Sequence, residues 1–225
     1  MENESDAYGF CLMYSGSFSA EVSGEQYGST RVQMGIQPFG FERKLAPGES
    51  FQSPEAIMVY SANGLGEMSR RFHKIIWENV CRGKFRDTER PVLTNNWEAT
   101  YFSFNQEKIL ALAEKAKAIG VDLMVLDGGW FGKRNSDNGS LGDWVVDKRK
   151  LPDGLESLCQ KVNELGMQFG LWFEPEMVSP DSDLYRKHPD WCLHVDGRPR
   201  TEGRHQLILD LTRPEVCDYI IDSVC

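Results

Sequence analysis

The chain has 225 residues, 40% of them hydrophobic and 26% charged, the balance of an ordinary globular protein of one or two domains. Its formal net charge of −9 argues against nucleic acids and anionic membrane surfaces as partners, because phosphates would be repelled rather than neutralised. No apolar run approaches the ~20 residues that a membrane span needs.

In chain order, residues 1–62 read as β-structure. Short runs of β-formers at 8–14, 18–22, 31–36 and 56–60 are separated by Gly, Ser and Pro. The alternation from Thr30 to Ile36 predicts one buried and one wet face. These are a few strands of a sandwich, too few to close one alone. From 64 to 83 the period changes to helical, with Leu65, Met68, Phe72, Ile75, Ile76 and Val80 on one stripe. The charged stretch from Arg82 to Arg90 completes a linking segment, 63–90.

Beyond Arg90 the order is strand, helix, strand, helix, strand. A strand starts at Val92. A helix over 106–119 follows, with Ser103 or Asn105 as cap, Ile109, Leu112, Ala113, Ala116 and Ile119 facing inward, and Gly120 as its stop. A second strand spans 122–126. The next helix begins at Pro152, buries Leu155, Leu158, Val162 and Leu165, and stops at Gly166. The third strand, 168–173, follows directly. Two helix-Gly-strand units with little linking sequence predict a parallel sheet, and long loops after the strand ends favour a (β/α)8 (TIM) barrel over a doubly wound sheet. No G-x-G-x-x-G opens a helix, so a dinucleotide fold is disfavoured. The fold class is therefore α/β, a partial (β/α)8 barrel over 91–225 preceded by the end of a β-sandwich. Thr212 and Glu215 form a capping box for a last helix that is still running at Cys225, which predicts a piece of a longer chain.

Cys11, Cys81, Cys159, Cys192, Cys217 and Cys225 show no metal-like spacing, and no secretory pattern opens the chain. They read as reduced thiols of a cytoplasmic protein, with Cys159 and Cys217 as small core residues. His73, His188, His194 and His205 are too dispersed in sequence to suggest a metal cluster. Lys133-Arg134 and Arg198-Pro199-Arg200 read as solvated loops.

The chemistry gathers at the strand ends. Asn95-Asn96-Trp97-Glu98, Asp127-Gly128-Gly129-Trp130 and Trp172-Phe173-Glu174-Pro175-Glu176 each combine polar residues with tryptophan. Carboxylates accept hydrogen bonds from hydroxyls, and an indole face packs on the C–H surface of a sugar ring. On pattern alone Glu174 and Glu176 would be paired acids, ~6.5–7 Å apart along an extended segment.

These stretches carry a resemblance. NNWEATYFSF, VLDGGWFGKR, GDW, LPDGL, LWFEPEMVSPDSDLYRKHPDW and GRHQLILDL, in that order, resemble bacterial-type α-galactosidases of glycoside hydrolase family 36. Upstream, YSGSF and MGIQPFGFERKLAPGESFQSPEAIMVYS resemble the end of that family's N-terminal β-sandwich. The resemblance implies a retaining hydrolase that removes terminal α-galactosyl groups from melibiose- or raffinose-like sugars. Such an enzyme uses two carboxyl groups about 5–5.5 Å apart and no metal or organic cofactor. It also implies that no catalytic residue lies in this chain. The nucleophile, in a Lys-Trp-Asp-type motif, and the acid/base would both lie beyond Cys225, so the chain would be inactive alone. Asp127, Trp172, Arg204 and Trp97 match family positions that bind the sugar. Glu174 and Glu176 become supports for the pocket. Gly128 departs from the family, which usually carries a second aspartate there, and this bears on sugar specificity. The family often forms homo-oligomers. Two other readings stay open, a carbohydrate-binding pseudoenzyme and a related α-glycosidase of altered specificity.

Overall fold

The computed structural model describes residues 2–225, and the chain divides between Glu89 and Arg90 into two compact units. In the first, β1 (Ala7–Leu12) pairs antiparallel with β4 (Ala56–Ser61) from Ala7 opposite Ser61 to Leu12 opposite Ala56. Two others, β2 (Phe18–Gly24) and β3 (Thr30–Ile36), form a separate hairpin closed by a turn at Gly28, whose φ of 77° suits glycine. In β3, Val32 and Met34 are half-buried while Arg31 and Gln33 are exposed, the alternation that the sequence predicts.

A helix, α1 (Gly64–Ile75), packs on β1 and β4. It crosses so closely at Gly9 that a Cβ there would lie 2.4 Å from the Phe72 ring and 2.7 Å from the Met68 sulfur. The helix predicted over 64–83 is shorter than expected. After Ile75 one π turn, Ile76–Val80, widens the spiral. Met68, Phe72 and Ile75 are half-buried, whereas Ile76 and Val80 in the π turn are exposed, as is Leu65 in the first turn of the helix.

The second unit is built on three parallel strands in the order β5 (Leu93–Asn95), β6 (Leu123–Leu126), β7 (Gln168–Leu171), with Leu93 opposite Leu123 and Leu123 opposite Gln168. Each new strand joins beside the last. A one-turn helix, α2 (Trp97–Thr100), follows β5, and the crossovers pass through α3 (Gln106–Ala118) and α4 (Gly154–Glu164), which pack against each other. This is an α/β fold.

Asn105 caps α3, its side chain accepting from Lys108 N at 3.0 Å. Gly120 and Gly166 take φ of 90° and 74° just past the two helices, so both turns straight into a strand rest on glycine. Ile119 is not inward-facing; it is 82% exposed, because the helix has already ended there. Pro152 lies in a turn before α4, whose first residue is Gly154. Phe104, Ile109, Met124, Leu126, Phe131, Leu141, Leu158 and Val162 form the core between helices and sheet.

After β7 come β8 (Met177–Val178), α5 (Asp183–Lys187), β9 (Leu207–Ile208), antiparallel to β8, and α6 (Pro214–Val224). They share a second cluster of Val178, Leu184, Trp191, Cys192, Leu207 and Val216. The capping box at Thr212 does not form. Thr212 donates to Asp210 instead, Glu215 pairs with Arg213, and Pro214 opens the helix. All six cysteines are free thiols, and the fully buried one is Cys192, not Cys159 or Cys217, which are half-exposed. Among the described residues no helix is long and apolar enough to cross a membrane, and no group of three or more potential metal ligands converges.

Candidate functional site

Because β5, β6 and β7 run parallel, the chain leaves all three at one edge of the sheet. Two asparagines at the end of β5, Asn95 and Asn96, tie that edge together. Asn96 is buried, accepts from Asp127 N at 2.8 Å and donates to Thr100 Oγ1 at 2.8 Å. Asn95 donates to Asp127 Oδ2 at 2.5 Å and accepts from Trp97 N at 2.7 Å. With Gly128 N donating to Asp127 Oδ1 at 2.7 Å, the carboxylate is fixed by its neighbours while each oxygen keeps a lone pair to offer.

All four sequence-predicted residues, Trp97, Asp127, Trp172 and Arg204, line one cavity of about 270 Å³ at this edge, together with Gly128, Arg134 and Asp137. The Trp172 ring lies over Gly128, where an added Cβ would sit 3.4 Å from it. It is nearly parallel to Phe131, and its carbonyl accepts from Trp130 Nε1 at 3.1 Å. Trp97 is braced edge-on by Tyr101 and Phe102, with centroids 5.3 and 5.0 Å away. Trp130, the third strand-end indole, is instead 2% exposed and packs on Phe131, Trp144 and Phe173 as core.

Arg134 corrects the reading of Lys133-Arg134 as a solvated pair, since its side chain is 2% exposed. It donates to Gly139 O at 2.9 Å and to the Asp137 carboxylate at 3.3 Å, and its cation lies 5.7 Å from both the Phe102 and Phe131 ring centres. Burial pulls its pKa below the ordinary value, with Asp137 and Glu174 opposing, and a guanidinium stays charged regardless. Its Nε has no partner. Arg200 is also held rather than free, donating to Tyr185 Oη at 2.6 Å and Pro189 O at 2.7 Å.

Arg204 enters from a tight turn after α5, where it and His205 have φ of 53° and 56°. Its guanidinium lies 3.3 Å from Asp137 Oδ1 and 3.6 Å from Glu174 Oε1. Burial raises the pKa of Glu174; Arg204 pulls it down and Glu176 raises it further. Glu174 thus sits behind Arg204 while Glu176 is exposed. Larger hollows lie elsewhere. One, of about 760 Å³, is an open groove along α4 and β7 lined by Leu155, Cys159, Phe169 and Leu171, and it lacks convergent charged groups apart from its rim.

Acids, guanidinium groups and two indoles gathered around a small hollow beyond parallel strand ends are the equipment of a carbohydrate-binding wall. Comparison with known proteins narrows this class. The family model for melibiase matches residues 50–225, and that for the glycosyl hydrolase family 36 N-terminal domain matches residues 1–46. The chain belongs to glycoside hydrolase family 36. It is 59% identical to α-galactosidase AgaA of Geobacillus stearothermophilus over 99% of its own length and 31% of that protein's. It is 51% identical to α-galactosidase Mel36A of Lactobacillus acidophilus, over 97% of this chain and 30% of that one. The solved structure of a doubly substituted AgaA in complex with raffinose matches with a TM-score of 0.95 at 59% identity, covering 99% of this chain and 31% of that one. The chain therefore spans about 30% of the length of these relatives.

Sequence reasoning missed Arg134, Asp137, Asn95 and Asn96 as members of the site. The asparagines stood in a stretch already singled out, and two adjacent amides at a strand end are a readable cue. For Arg134 and Asp137 no local signal distinguishes a buried arginine with a half-exposed partner from a wet loop.

Proposed function

We propose that this chain is the part of a retaining α-galactosidase that supplies one wall of the galactoside pocket. Residues 1–62 are the C-terminal part of an N-terminal β-sandwich, 63–90 link it onward, and 91–225 are the first three β/α units of a (β/α)8 barrel. The sequential order of β5, β6 and β7 and the packing of α3 on α4 support a singly wound barrel over a doubly wound sheet. Asp127 and Arg204 hydrogen-bond sugar hydroxyls, Trp172 packs on the ring, and Trp97 serves units beyond the first. The nucleophile and the acid/base lie beyond Cys225, so the 225 residues alone are inactive. No metal or organic cofactor takes part. The complete polypeptide is a cytoplasmic homo-oligomer that acts on melibiose- or raffinose-type sugars.

The single observation that carries this reading is the convergence of Trp97, Asp127, Trp172 and Arg204 on one cavity. A second reading, altered sugar specificity, is favoured by Gly128, which sets no side chain between Trp172 and the unpaired Arg134 Nε, although a Cβ there would make only ordinary contacts. Two experiments test the proposal. The coding sequence after Cys225 should contain a Lys-Trp-Asp motif about a dozen residues on, by family resemblance; a stop codon there would favour the pseudoenzyme. The complete polypeptide should hydrolyse nitrophenyl α-galactoside in preference to other nitrophenyl α-glycosides. Preference for another sugar would establish the second reading, and no hydrolysis of any would overturn both.

A further inference from the structure

One acid in the cavity has no part in the sugar-binding reading. Asp137 places a single oxygen, Oδ1, 3.3 Å from a terminal nitrogen of Arg134 and 3.3 Å from one of Arg204. The two arginines differ sharply. Arg134 is 2% exposed and fixed by two backbone carbonyls, at Asp137 and Gly139, and by two flanking aromatic rings. Its own carbonyl and that of Gly129 accept from Lys150 Nζ at 2.8 Å each, which pins the loop. Arg204 has a side chain 61% exposed, on a turn that binds itself through Gly203 and Gln206. A long side chain in that setting samples many rotamers unless something holds it.

We propose that Asp137 is a positioning residue, which transmits the fixed location of Arg134 to Arg204 and holds the Arg204 guanidinium over the cavity before ligand arrives. An isolated exposed ion pair does little of this kind, because solvent and salt screen it. Here the charges alternate along a chain of Arg134, Asp137, Arg204 and Glu174, anchored at its buried end. Removing Asp137 does two things at once. It loosens Arg204, which keeps only the longer 3.6 Å contact to Glu174, and it removes the acid shared by two guanidinium groups in one small cavity, so that their repulsion pushes the exposed one outward.

The inference rests on the proposed ligand role of Arg204, and a double-mutant cycle on the complete polypeptide separates the two. With nitrophenyl α-galactoside, Arg204→Ala should raise KM on the order of 10- to 100-fold, the loss of a charge-assisted hydrogen bond. Asp137→Ala should raise it by about tenfold, with kcat changed less than about twofold. The double variant should match Arg204→Ala alone, because a positioning residue has nothing left to position. Asp137→Asn, which keeps the acceptor oxygen, should fall between wild type and Asp137→Ala while the melting temperature stays put. Effects that multiply in the double variant would show that Asp137 acts independently of Arg204 and overturn the inference, as would a wild-type KM for Asp137→Ala. A wild-type KM for Arg204→Ala would overturn the underlying ligand assignment instead.

Discussion

At the scale of single residues, the site turns on groups whose surroundings are incomplete. Gly128 has ordinary backbone geometry, and a Cβ there would meet Trp172 at 3.4 Å and Arg134 Nε at 3.9 Å, both tolerable contacts. Gly128→Asp, the residue usual in the family, therefore fits and brings a carboxylate within reach of the unpaired Nε. It should stabilise the complete polypeptide by about 1–2 kcal/mol, read by denaturant unfolding, because a buried donor gains a charged acceptor. A destabilised variant would mean that the space is already filled. Glu174 makes the opposite kind of statement. Burial holds its folded pKa above the ordinary glutamate value, so the folded state binds its proton more tightly than the unfolded state does. Its ionisation therefore erodes stability as pH rises from about 4.5 through the folded pKa. The wild type should lose ground against Glu174→Gln across that window and run parallel to it above; a difference in melting temperature that is flat with pH would refute this. Asp127, Trp97, Trp172 and Arg204 were legible because each stands in a motif. Arg134 was not, since burial of a guanidinium is decided by the rings of Phe102 and Phe131, which only the fold brings to it.

Among the elements, glycine and asparagine set the frame. Gly120 and Gly166 end the helices, and Asn105 begins α3 by accepting from Lys108 N. Asn105→Ala should cost about 1 kcal/mol of stability in thermal or denaturant melts, the usual loss for an N-cap, with little change in KM because α3 lies away from the cavity. No loss of stability would show that another group caps the helix. The helix-Gly-strand rhythm was readable because it is local: period, cap and stop all sit within one helix length. Where sequence and structure differ, the cause is the geometry of helix ends, which residue type alone does not announce. The stripe on α1 broke where a π turn rotated it, Ile119 fell past the helix end, and Thr212 preferred Asp210 to the helix it precedes.

For the whole molecule, the chain offers apolar surface and open strand edges. β5 and β7 each pair on one side only, and Val92, Leu93, Val145 and Leu193 in the second unit, with Phe18, Val22, Tyr27 and Phe39 in the first, are more than half or nearly half exposed. A polypeptide of these 225 residues alone should therefore bind an environment-sensitive dye strongly and aggregate. A monomer that melts cooperatively would contradict that expectation. Asp127 and Trp172 share one edge because parallel strands deliver their ends there, and the turn that carries Arg204 folds back onto that edge to complete the cavity. The most direct measurement is a crystal structure of the complete polypeptide with galactose bound. The account predicts hydroxyls within about 3 Å of Asp127 and Arg204 and a ring face on Trp172. Sugar bound elsewhere, with these three side chains facing only solvent, would contradict it.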